Sequence, residues 1–561
     1  MPKQWTSPTP APEQLRFALP DVSPGIVQIL FNRGLQTAEE IRRFLTPDPA
    51  RDLGDPFAIK DMDVAVGRIR QAIVGGEQIA VYADFDVDGI CSAALLTQVI
   101  ESMGAHVRVY IPHRVDEGYG LNKGAIDSLA ADGVRLLITA DCGTSSISEV
   151  AYACGLGVDV IVTDHHHVHN RLPDAVAVLN PQRADSHYVF RELAGVGVAY
   201  KLAEALVRQS AAAVPVRDYL DLVALGTVVD VAPLVGENRA LVRMGLDAMR
   251  RAPRPGLRAL MRVSRIKPET LDTGNLGFGL GPRLNAAGRI DTARTSYDLL
   301  LSQSDAEAEP LALKLEDLNL ERQKRLETAL VSARETASGQ AEGGRLIFVA
   351  SADYQAGIVG LVASRLVDEF YRPAIAIERG EELSRGSCRS VPEFQIARAL
   401  DECADLLVRH GGHAMAAGFT VRTERLAELQ EKLAAIAQRD LGERALEPTL
   451  AVDCQIALSS ATWETRAKLS QLAPFGAGNP TPLLRSNNVR VRSVQLVRGD
   501  SVQLKLTNGS AETWDAIAFR QSHIAQMVHA GDRIDIVYNL EDRTWNGEST
   551  IQLVIKDARK R

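Results

Sequence analysis

Carboxylates and imidazoles cluster directly after three short apolar segments of this sequence. In chain order, the clusters are Asp84-Phe85-Asp86-Val87-Asp88-Gly89 after residues 79–82, Asp141-Cys142-Gly143 after residues 136–139, and Asp164-His165-His166 after residues 160–163. The apolar segments have the composition of buried strands, and polar residues at the carboxyl ends of parallel strands converge on one crevice. Carboxylates and imidazoles that meet in one place are ligands for divalent cations. Two such cations in one crevice favour cleavage of phosphate esters.

The three clusters differ in how strongly each one points to metal. The carboxylates of the first cluster repel one another unless cations neutralise them, although a solvated acidic turn or a helix N-cap explains them equally well in isolation. Asp141 alone is typical of an N-cap, whereas the adjacent histidines after Asp164 favour metal binding over a structural role. A fourth carboxylate, Asp230, lies in the apolar stretch 225–234, where burial requires a partner or a metal. Together these residues predict a dinuclear site for Mn²⁺ or Mg²⁺, with histidine favouring Mn²⁺.

The elements that must position these residues alternate between strand and helix from about residue 55 to 235. The predicted strands are 79–83, 107–111, 136–140, 160–163 and 176–179. This alternation predicts an α/β fold with a doubly wound parallel sheet.

The remaining chain predicts three further regions around this sheet. A long helix with Pro310 in its first turn and an end near Ser338-Gly339 either connects two domains across a cleft or lies in the core of one domain. A smaller α/β unit begins at Leu346, and about five strands after Pro448 predict a small barrel of the OB type. Helical residues 24–46 are expected to pack on the region of the chain directly C-terminal to them. The predicted domains are 1–54, 55–250, 251–340, 341–445 and 446–561.

Composition limits the class of protein. The chain has 561 residues, 46% of them hydrophobic, and a formal net charge of −8, which argues against a large basic sleeve but allows a local basic channel. Six scattered cysteines without a CxxC pair predict a reduced, intracellular protein. We expect a cytoplasmic location and no membrane association, because neither a signal sequence nor an apolar run of roughly 20 residues is visible.

The order of these motifs resembles that of the DHH phosphoesterases. That family has Asp-x-Asp-x-Asp-Gly, Asp-Cys-Gly, Asp-His-His and Gly-Thr-Val-Val-Asp in the order found here. Further segments are similar to the RecJ family of bacterial single-strand-specific 5′→3′ exonucleases, and GGHAMAAG at 411–418 is the signature of the associated DHHA1 domain. These segments are residues 110–114, 118–120, 281–289, 386–390, 411–418 and 472–480.

The resemblance implies a role for each candidate site residue. It implies that two Mn²⁺ or Mg²⁺ ions are held by Asp86, Asp88, Asp141, His165 and Asp230. It places Asp84, Asp164 and His166 beside them, as further ligands or as orienting and acid–base groups. It implies capture of a terminal 5′-phosphate, which sets polarity, by Arg283, Asn285, Arg289, Ser387, Arg389, Ser390 and His413. Without the resemblance, ordinary surface or interdomain ion pairs would be the preferred explanation for these arginines.

The barrel is expected to guide the DNA strand by base stacking and charge. The candidate residues are Lys505, Phe519, Arg520, Tyr538, Arg543 and Trp545. Each aromatic residue among them is more often part of a core than a stacking surface.

The resemblance implies a metal-dependent exonuclease that degrades single-stranded DNA from a 5′ end in DNA repair and recombination. It also implies single-strand-binding protein and a RecQ-type helicase as partners. One alternative is a phosphodiesterase of short oligonucleotides or cyclic dinucleotides, and another is a non-catalytic replication scaffold. The barrel argues against the first alternative because small substrates need no guiding domain, and the filled ligand positions argue against the second.

Overall fold

The computed structural model describes residues 3–114, 116–168, 171–210, 214–545 and 548–561, and the side chains of 544 and 545 lie outside this description. The chain divides into two compact units. The smaller unit contains the residues up to Asp52, Pro233–Gly236 and the residues from Glu447 onward, and the larger unit contains Leu53–Ala232 and Glu237–Leu446. In the described part of the chain, no helix is long and apolar enough to cross a membrane.

The N-terminal segment is mostly helical. Its elements are β1 (Gln4–Thr6), α1 (Glu13–Phe17), α2 (Pro24–Asn32), α3 (Ala38–Leu45) and α4 (Pro49–Asp52). Thr37 and Glu40 form a reciprocal capping box at the start of α3. The helical prediction for residues 24–46 is therefore confirmed.

The first domain of the larger unit contains a five-stranded parallel sheet. Its elements are α5 (Met62–Gly75), β2 (Gln78–Ala83), α6 (Val87–Ser102), β3 (Val107–Tyr110), α7 (Lys123–Ala131), β4 (Val134–Ala140), α8 (Ile147–Gly155), β5 (Asp159–Thr163) and β6 (Ala177–Leu179). The strand order is β3-β2-β4-β5-β6 and every pair is parallel, which confirms the predicted doubly wound sheet. Because β2, β4 and β5 are neighbours, their carboxyl ends bring the three polar clusters to one edge.

Helices complete this domain and lead to the next one. They are α9 (Gly195–Arg208), α10 (Leu220–Val229), α11 (Gly236–Arg251), α12 (Pro255–Val263), α13 (Gly281–Ile290), α14 (Arg294–Leu301) and α15 (Asp305–Ala341), with a π-helical turn at Asn275–Leu280. The 37-residue α15 packs on α12, α13 and α14 and also on β7 (Ile347–Ser351) and α16 (Ala356–Phe370) of the second domain. It is the predicted connector, but it begins at Asp305, ahead of Pro310, because the Ser304 side chain caps it by accepting from the Glu307 N–H.

The second domain of the larger unit contains a mixed five-stranded sheet. Besides β7 and α16, its elements are β8 (Ala374–Glu378), β9 (Leu383–Arg389), α17 (Ile396–Asp401), β10 (Leu407–His413), β11 (Ala416–Arg422) and α18 (Leu426–Leu441). The strand order is β10-β11-β9-β8-β7, and only the β7–β8 pair is parallel. One face packs on α17 and α18 through a core that includes Cys388, Phe419 and Leu433.

The C-terminal region of the smaller unit is a closed barrel. Its elements are β12 (Thr449–Ala451), β13 (Cys454–Gln455), α19 (Trp463–Ser470), β14 (Leu484–Val497), β15 (Ser501–Thr507), β16 (Trp514–Ala518), α20 (His523–Met527), β17 (Arg533–Trp545) and β18 (Glu548–Lys560). The strand order is β13-β14-β15-β16-β18-β17, and pairing of β14 with β17 closes the sheet. The predicted OB-type barrel is confirmed.

The N-terminal helices share their core with this barrel. Leu30 and Ile41 belong to the same buried cluster as Leu484 and Val502, and β1 pairs in parallel with β12. The prediction that residues 24–46 pack on the region directly C-terminal to them is therefore wrong. The apolar face of these helices was visible in the sequence, but the distant surface that covers such a face is not encoded by local periodicity.

Candidate active site

Four elements bring the predicted acidic residues together. Asp84 follows β2, and Asp86 caps α6 by accepting from the backbone N–H groups of Asp88 and Gly89 at 2.9 and 3.2 Å. Asp141 follows β4 with a φ of 65°, a left-handed conformation that non-glycine residues rarely adopt outside turns and functional sites. Asp230 lies at the carboxyl end of α10.

The carboxylates converge on His165. Its Nε2 atom lies 3.1 Å from Asp141 Oδ1, 3.8 Å from Asp88 Oδ2 and 3.8 Å from Asp230 Oδ2. Three groups of side chains each offer ligand atoms within 4.8 Å of one another. These groups are Asp141-His165-His166, Asp88-His165-Asp230 and Asp84-Asp86-Asp141. The second and third groups share no residue, so the geometry suits two ions.

Several ligand atoms at this site are buried without a hydrogen-bond partner. Within the described part of the chain, these atoms include Asp84 Oδ1, Asp141 Oδ1 and His165 Nε2. A buried oxygen or ring nitrogen without a donor is unfavourable by about 1–3 kcal/mol unless something else satisfies it. Oxygen atoms with one imidazole nitrogen are the donor set of Mn²⁺ and Mg²⁺, so the residues present fit a divalent cation.

Burial raises the pKa of four carboxyl groups at this site, those of Asp84, Asp88, Asp141 and Asp230. It brings the pKa of Asp88 to about 7 and that of Asp230 to about 9, and it holds the pKa of Asp84 and of Asp141 well above the ordinary value. Repulsion by neighbouring carboxylates adds to each increase. Burial lowers the pKa of His165 to about 4, so this imidazole is neutral and able to bind a metal. Negative charge on these carboxylates is therefore unfavourable unless cations bind beside them.

The Asp164 carboxylate is fully engaged by protein donors. Oδ1 accepts from the backbone N–H groups of His165 and His166 at 2.8 and 3.1 Å and from His166 Nδ1 at 2.7 Å, and Oδ2 accepts from the Thr144 N–H at 2.9 Å. Burial opposes ionisation, but the hydrogen bond from His166 lowers the pKa of Asp164. Although burial acts against it, the same bond raises the pKa of His166 to about 9. Asp164 thus orients the His166 imidazole and favours its protonated form.

Two glycines allow α9 and α10 to approach the carboxylates. A Cβ at Gly195 would lie 2.5 Å from Asp141 Oδ1, and one at Gly226 would lie 2.7 Å from Asp88 Oδ1. The N-terminus of α9 also holds Asp88, whose oxygens accept from the N–H groups of Gly195 and Val196 at 2.7 and 2.9 Å. The sequence contains no local signal for these contacts, because the partners are more than fifty residues apart.

A cavity of about 730 Å³ lies between the two domains of the larger unit. The first domain contributes Arg114, Tyr119 and His166 to its lining, and the second contributes Ser387 and His413. Asp164 and His166 of the acidic cluster and Ser387 and His413 of the predicted phosphate-binding set therefore face one cavity.

Arginines gather beside this cavity. Arg289 donates to the Gly357 carbonyl at 3.2 Å, and Arg389 donates to Ser387 Oγ at 3.3 Å. Burial lowers the pKa of Arg289 to about 9, and the charges of Arg114, Arg322 and Arg389 add to this effect. Guanidinium groups that repel one another in a buried place are stabilised by an anion, and phosphate suits their geometry.

Two of the predicted phosphate contacts are engaged by protein partners, and the contact predicted for Asn285 stays a prediction. Arg283 forms a forked ion pair with Glu316 on α15, and the Ser390 hydroxyl donates to the Phe394 carbonyl at 2.6 Å. Because protein partners engage both groups, the prediction of direct phosphate contact is not supported for either residue. Asn285 lies half-buried on α13.

The predicted DNA-guiding residues of the barrel lie in different environments. Tyr538 is fully buried and hydrogen-bonded to Ser486, so the prediction that it stacks on bases is wrong: it belongs to the barrel core. Phe519 is 55% exposed, and Arg520 beside it is exposed. Lys505 forms an ion pair with Asp515 at 3.1 Å. Arg543 is exposed on β17, and the side chain of Trp545 lies outside the described part of the structure.

Sequence reasoning missed several residues that line the cavity. Arg114 stacks on Phe85 with its guanidinium carbon 4.4 Å from the ring centroid, and the Tyr119 hydroxyl lies 3.1 Å from His166 Nδ1. Both lie in segments that carry the family resemblance. Arg385 and Arg409 precede such segments by one and two residues, so their only signal was proximity to those motifs.

Models of three known domains match the chain. They are the DHH family N-terminal domain over residues 78–227, the DHHA1 domain over 343–439 and the RecJ OB domain over 452–557.

Similar proteins cover almost the whole chain. It is 39% identical over 540 residues to the single-stranded-DNA-specific exonuclease RecJ of Bacillus subtilis, and the match covers 96% of this chain and 68% of that protein. It is 32% identical over 561 residues to the protein of the same name from Salmonella typhimurium, with 96% of each covered. The crystal structure of Thermus thermophilus RecJ in complex with Mn²⁺ matches with a TM-score of 0.85 and 27% identity over 100% of this chain and 80% of that chain. This chain therefore belongs to the RecJ family of single-stranded-DNA-specific exonucleases.

Proposed function

We propose that this chain hydrolyses single-stranded DNA from a 5′ end with two divalent cations, in DNA repair and recombination. One observation carries the proposal: the site contains metal-ligand atoms that are buried without a hydrogen-bond partner. Beside these atoms lies a cavity, and arginines and a serine of the second domain line its other wall. Membership of the RecJ family supports the substrate class.

Six side chains would hold the cations. They are Asp84, Asp86, Asp88, Asp141, His165 and Asp230. Divalent cations at such a site lower the pKa of water and stabilise charge on the attacking and leaving oxygens of a phosphate ester. Asp84 joins the ligands in this proposal because its free oxygen is buried, whereas both oxygens of Asp164 already accept hydrogen bonds.

Asp164 and His166 would act as a pair on the substrate. Asp164 keeps the His166 imidazole protonated and fixes its plane, and His166 lines the cavity. A fixed cation at this place would bind an oxygen of the scissile phosphate and could give a proton to the leaving oxygen.

Polarity would come from two residues of the opposite wall together with Arg289 of α13. Arg289, Ser387 and Arg389 are close to one another and offer donors for a terminal phosphate. A strand whose 5′-phosphate occupies this position would present a nearby phosphodiester to the acidic site. Single-strand-binding protein, a RecQ-type helicase and a cytoplasmic location belong to this proposal as expectations from the family resemblance and composition.

End-labelled oligonucleotides test the proposal directly. The purified chain is incubated with single strands labelled at either end, in Mn²⁺, Mg²⁺ or EDTA. We expect mononucleotides from the 5′ end with either metal and no cleavage in EDTA. Asp141→Ala and His165→Ala should abolish cleavage, whereas Asp353→Ala, a control that removes an exposed carboxylate of the same unit, should not. Cleavage in EDTA, release from the 3′ end or full activity of Asp141→Ala would each overturn a stated part of the proposal.

A further inference from the structure

One face of the sheet in the second domain forms three rows of residues across β9, β11 and β10. The rows are Arg389-Ala416-His413, Ser387-Gly418-Gly411 and Arg385-Thr420-Arg409. Successive side chains of a strand point to opposite faces, so residues two apart share a face and all three rows lie on the same one. Seven of the nine residues line the cavity. Three of the seven predicted terminal-phosphate residues, Ser387, Arg389 and His413, occupy the first two rows, and the third row has no assigned role.

The spacing of the rows suits a DNA strand. An antiparallel strand rises about 3.4 Å per residue, so adjacent rows are ~7 Å apart and the first and third rows are ~14 Å apart. That length corresponds to about two to four nucleotides, given an axial rise of about 3.4 Å per nucleotide in a B-form strand and more in an extended one. In the middle row, Gly411 and Gly418 have no side chains, so a sugar–phosphate backbone can approach the sheet there.

The third row carries phosphate-binding groups. Arg409 is exposed, and its Nε donates to Thr420 Oγ1 at 3.3 Å, which fixes the guanidinium while its terminal nitrogens remain at the cavity. A Cβ at Gly118 in the first domain would lie 3.9 Å from both of those nitrogens, so Arg409 reaches toward the opposite wall. Arg385 also pairs in register with Glu378 of β8. Because a carboxylate neighbours Arg385, Arg409 is the better residue to test.

We infer that Arg409, with Arg385 and Thr420, binds an internal phosphate of the single strand. The strand crosses the glycines of the middle row and places one phosphodiester at the third row while its 5′ end occupies the first. This subsite rests on the proposed function. Guanidinium groups bind phosphate through paired hydrogen bonds, and a phosphate contact positions a strand without reading its sequence. The subsite therefore predicts that KM depends on strand length. The metal site alone predicts no such dependence.

Arg409→Gln tests the subsite because it keeps a polar side chain and removes the charge. We expect KM to rise about tenfold for a dodecamer with kcat unchanged, and no change for a dinucleotide, which is too short to reach the third row. The slope of log kcat/KM against log salt should decrease by about 0.7, as for one lost contact with a single strand. Arg409→Lys should recover part of the affinity. Arg398→Gln on α17, whose side chain is 72% exposed and whose helix covers the opposite face, is the matched control.

Neutral methylphosphonate linkages locate the contact on the DNA. One internal linkage, when made neutral, should raise KM for the wild-type protein but not for Arg409→Gln. Two results would overturn the subsite. One is an equal loss of kcat/KM on the dinucleotide and the dodecamer in Arg409→Gln. The other is that each neutral linkage raises KM for Arg409→Gln as much as it does for the wild-type protein. Circular dichroism of each variant shows whether it is folded. If the wild-type protein cleaves no single strand, the proposed function fails, and that result is distinct from failure of the subsite.

Discussion

Gly195→Ala should disable the site while leaving the fold intact. The added Cβ would lie 2.5 Å from Asp141 Oδ1, so the carboxylate must move by about 0.9 Å to restore an ordinary contact of 3.4 Å. A misplacement of about 1 Å at a catalytic group can reduce turnover roughly 100-fold. Overpacking is unfavourable by about 1–3 kcal/mol, and at the first residue of α9 alanine has no interior helix propensity to offset it. The free energy of unfolding should therefore fall by about 1–3 kcal/mol and Tm by a few degrees, while the protein stays folded.

Three measurements separate a local effect from a global one. Turnover of a 5′-phosphorylated single strand should fall about 100-fold, Mn²⁺ affinity by calorimetry should weaken, and thermal melting should stay close to that of the wild type. Gly67→Ala in α5 is the matched control, because a Cβ there meets nothing within 4 Å. It should melt slightly higher and cleave normally. Wild-type cleavage and Mn²⁺ affinity in Gly195→Ala would refute the placement of Asp141 as a ligand.

Three further outcomes are expected. Asp164→Asn should lower kcat about 10–100-fold yet retain Mn²⁺ after dialysis, because this carboxylate orients His166; loss of the bound metal by elemental analysis would contradict that role. Arg389→Gln should lose about 10–100-fold of the preference for a 5′-phosphate over a 5′-hydroxyl end in kcat/KM, and an unchanged preference would exclude it from polarity. The pKa of Asp88 rises from 3.8 to about 7 on burial, so the metal-free fold binds more protons than the unfolded chain in that window and loses stability as pH increases. The rise in Tm caused by Mn²⁺ should thus grow between about pH 5 and about pH 7, and a shrinking shift would refute this linkage.

Local patterns predicted the first sheet well. The segments 79–83 and 136–140 are apolar on both faces, as parallel strands covered by helices must be, and the structure has β2 and β4 there. The barrel was predicted from the same kind of evidence. The predicted segments 533–539 and 550–556 are shorter than β17, which extends to Trp545, and β18, which begins at Glu548. The predicted start of α15 is too late, because the sequence-based prediction takes Pro310 as a first-turn residue, whereas it lies inside a helix that begins after the Ser304 cap.

The sequence by itself determined which chemistry is present and on which edge of the sheet it lies. Asp84, Asp141 and His165 follow apolar strands directly, and the geometry of a parallel sheet brings such residues together whatever the rest of the chain does. The order of the motifs also identified the family from the sequence alone, because each motif consists of residues that are neighbours along the chain.

Only the tertiary structure decided what each candidate side chain is free to do. Asp84 has an unsatisfied buried oxygen, whereas Asp164 is saturated by donors, and no spacing distinguishes these two carboxylates. Tyr538 is buried in the barrel, and Arg283 is paired with a glutamate 33 residues away. Arg409 acquires its proposed role only from its row on the sheet. The physical reason is common to these residues: hydrogen bonding, burial and ion pairing are settled by partners brought close by folding, and local sequence does not identify those partners.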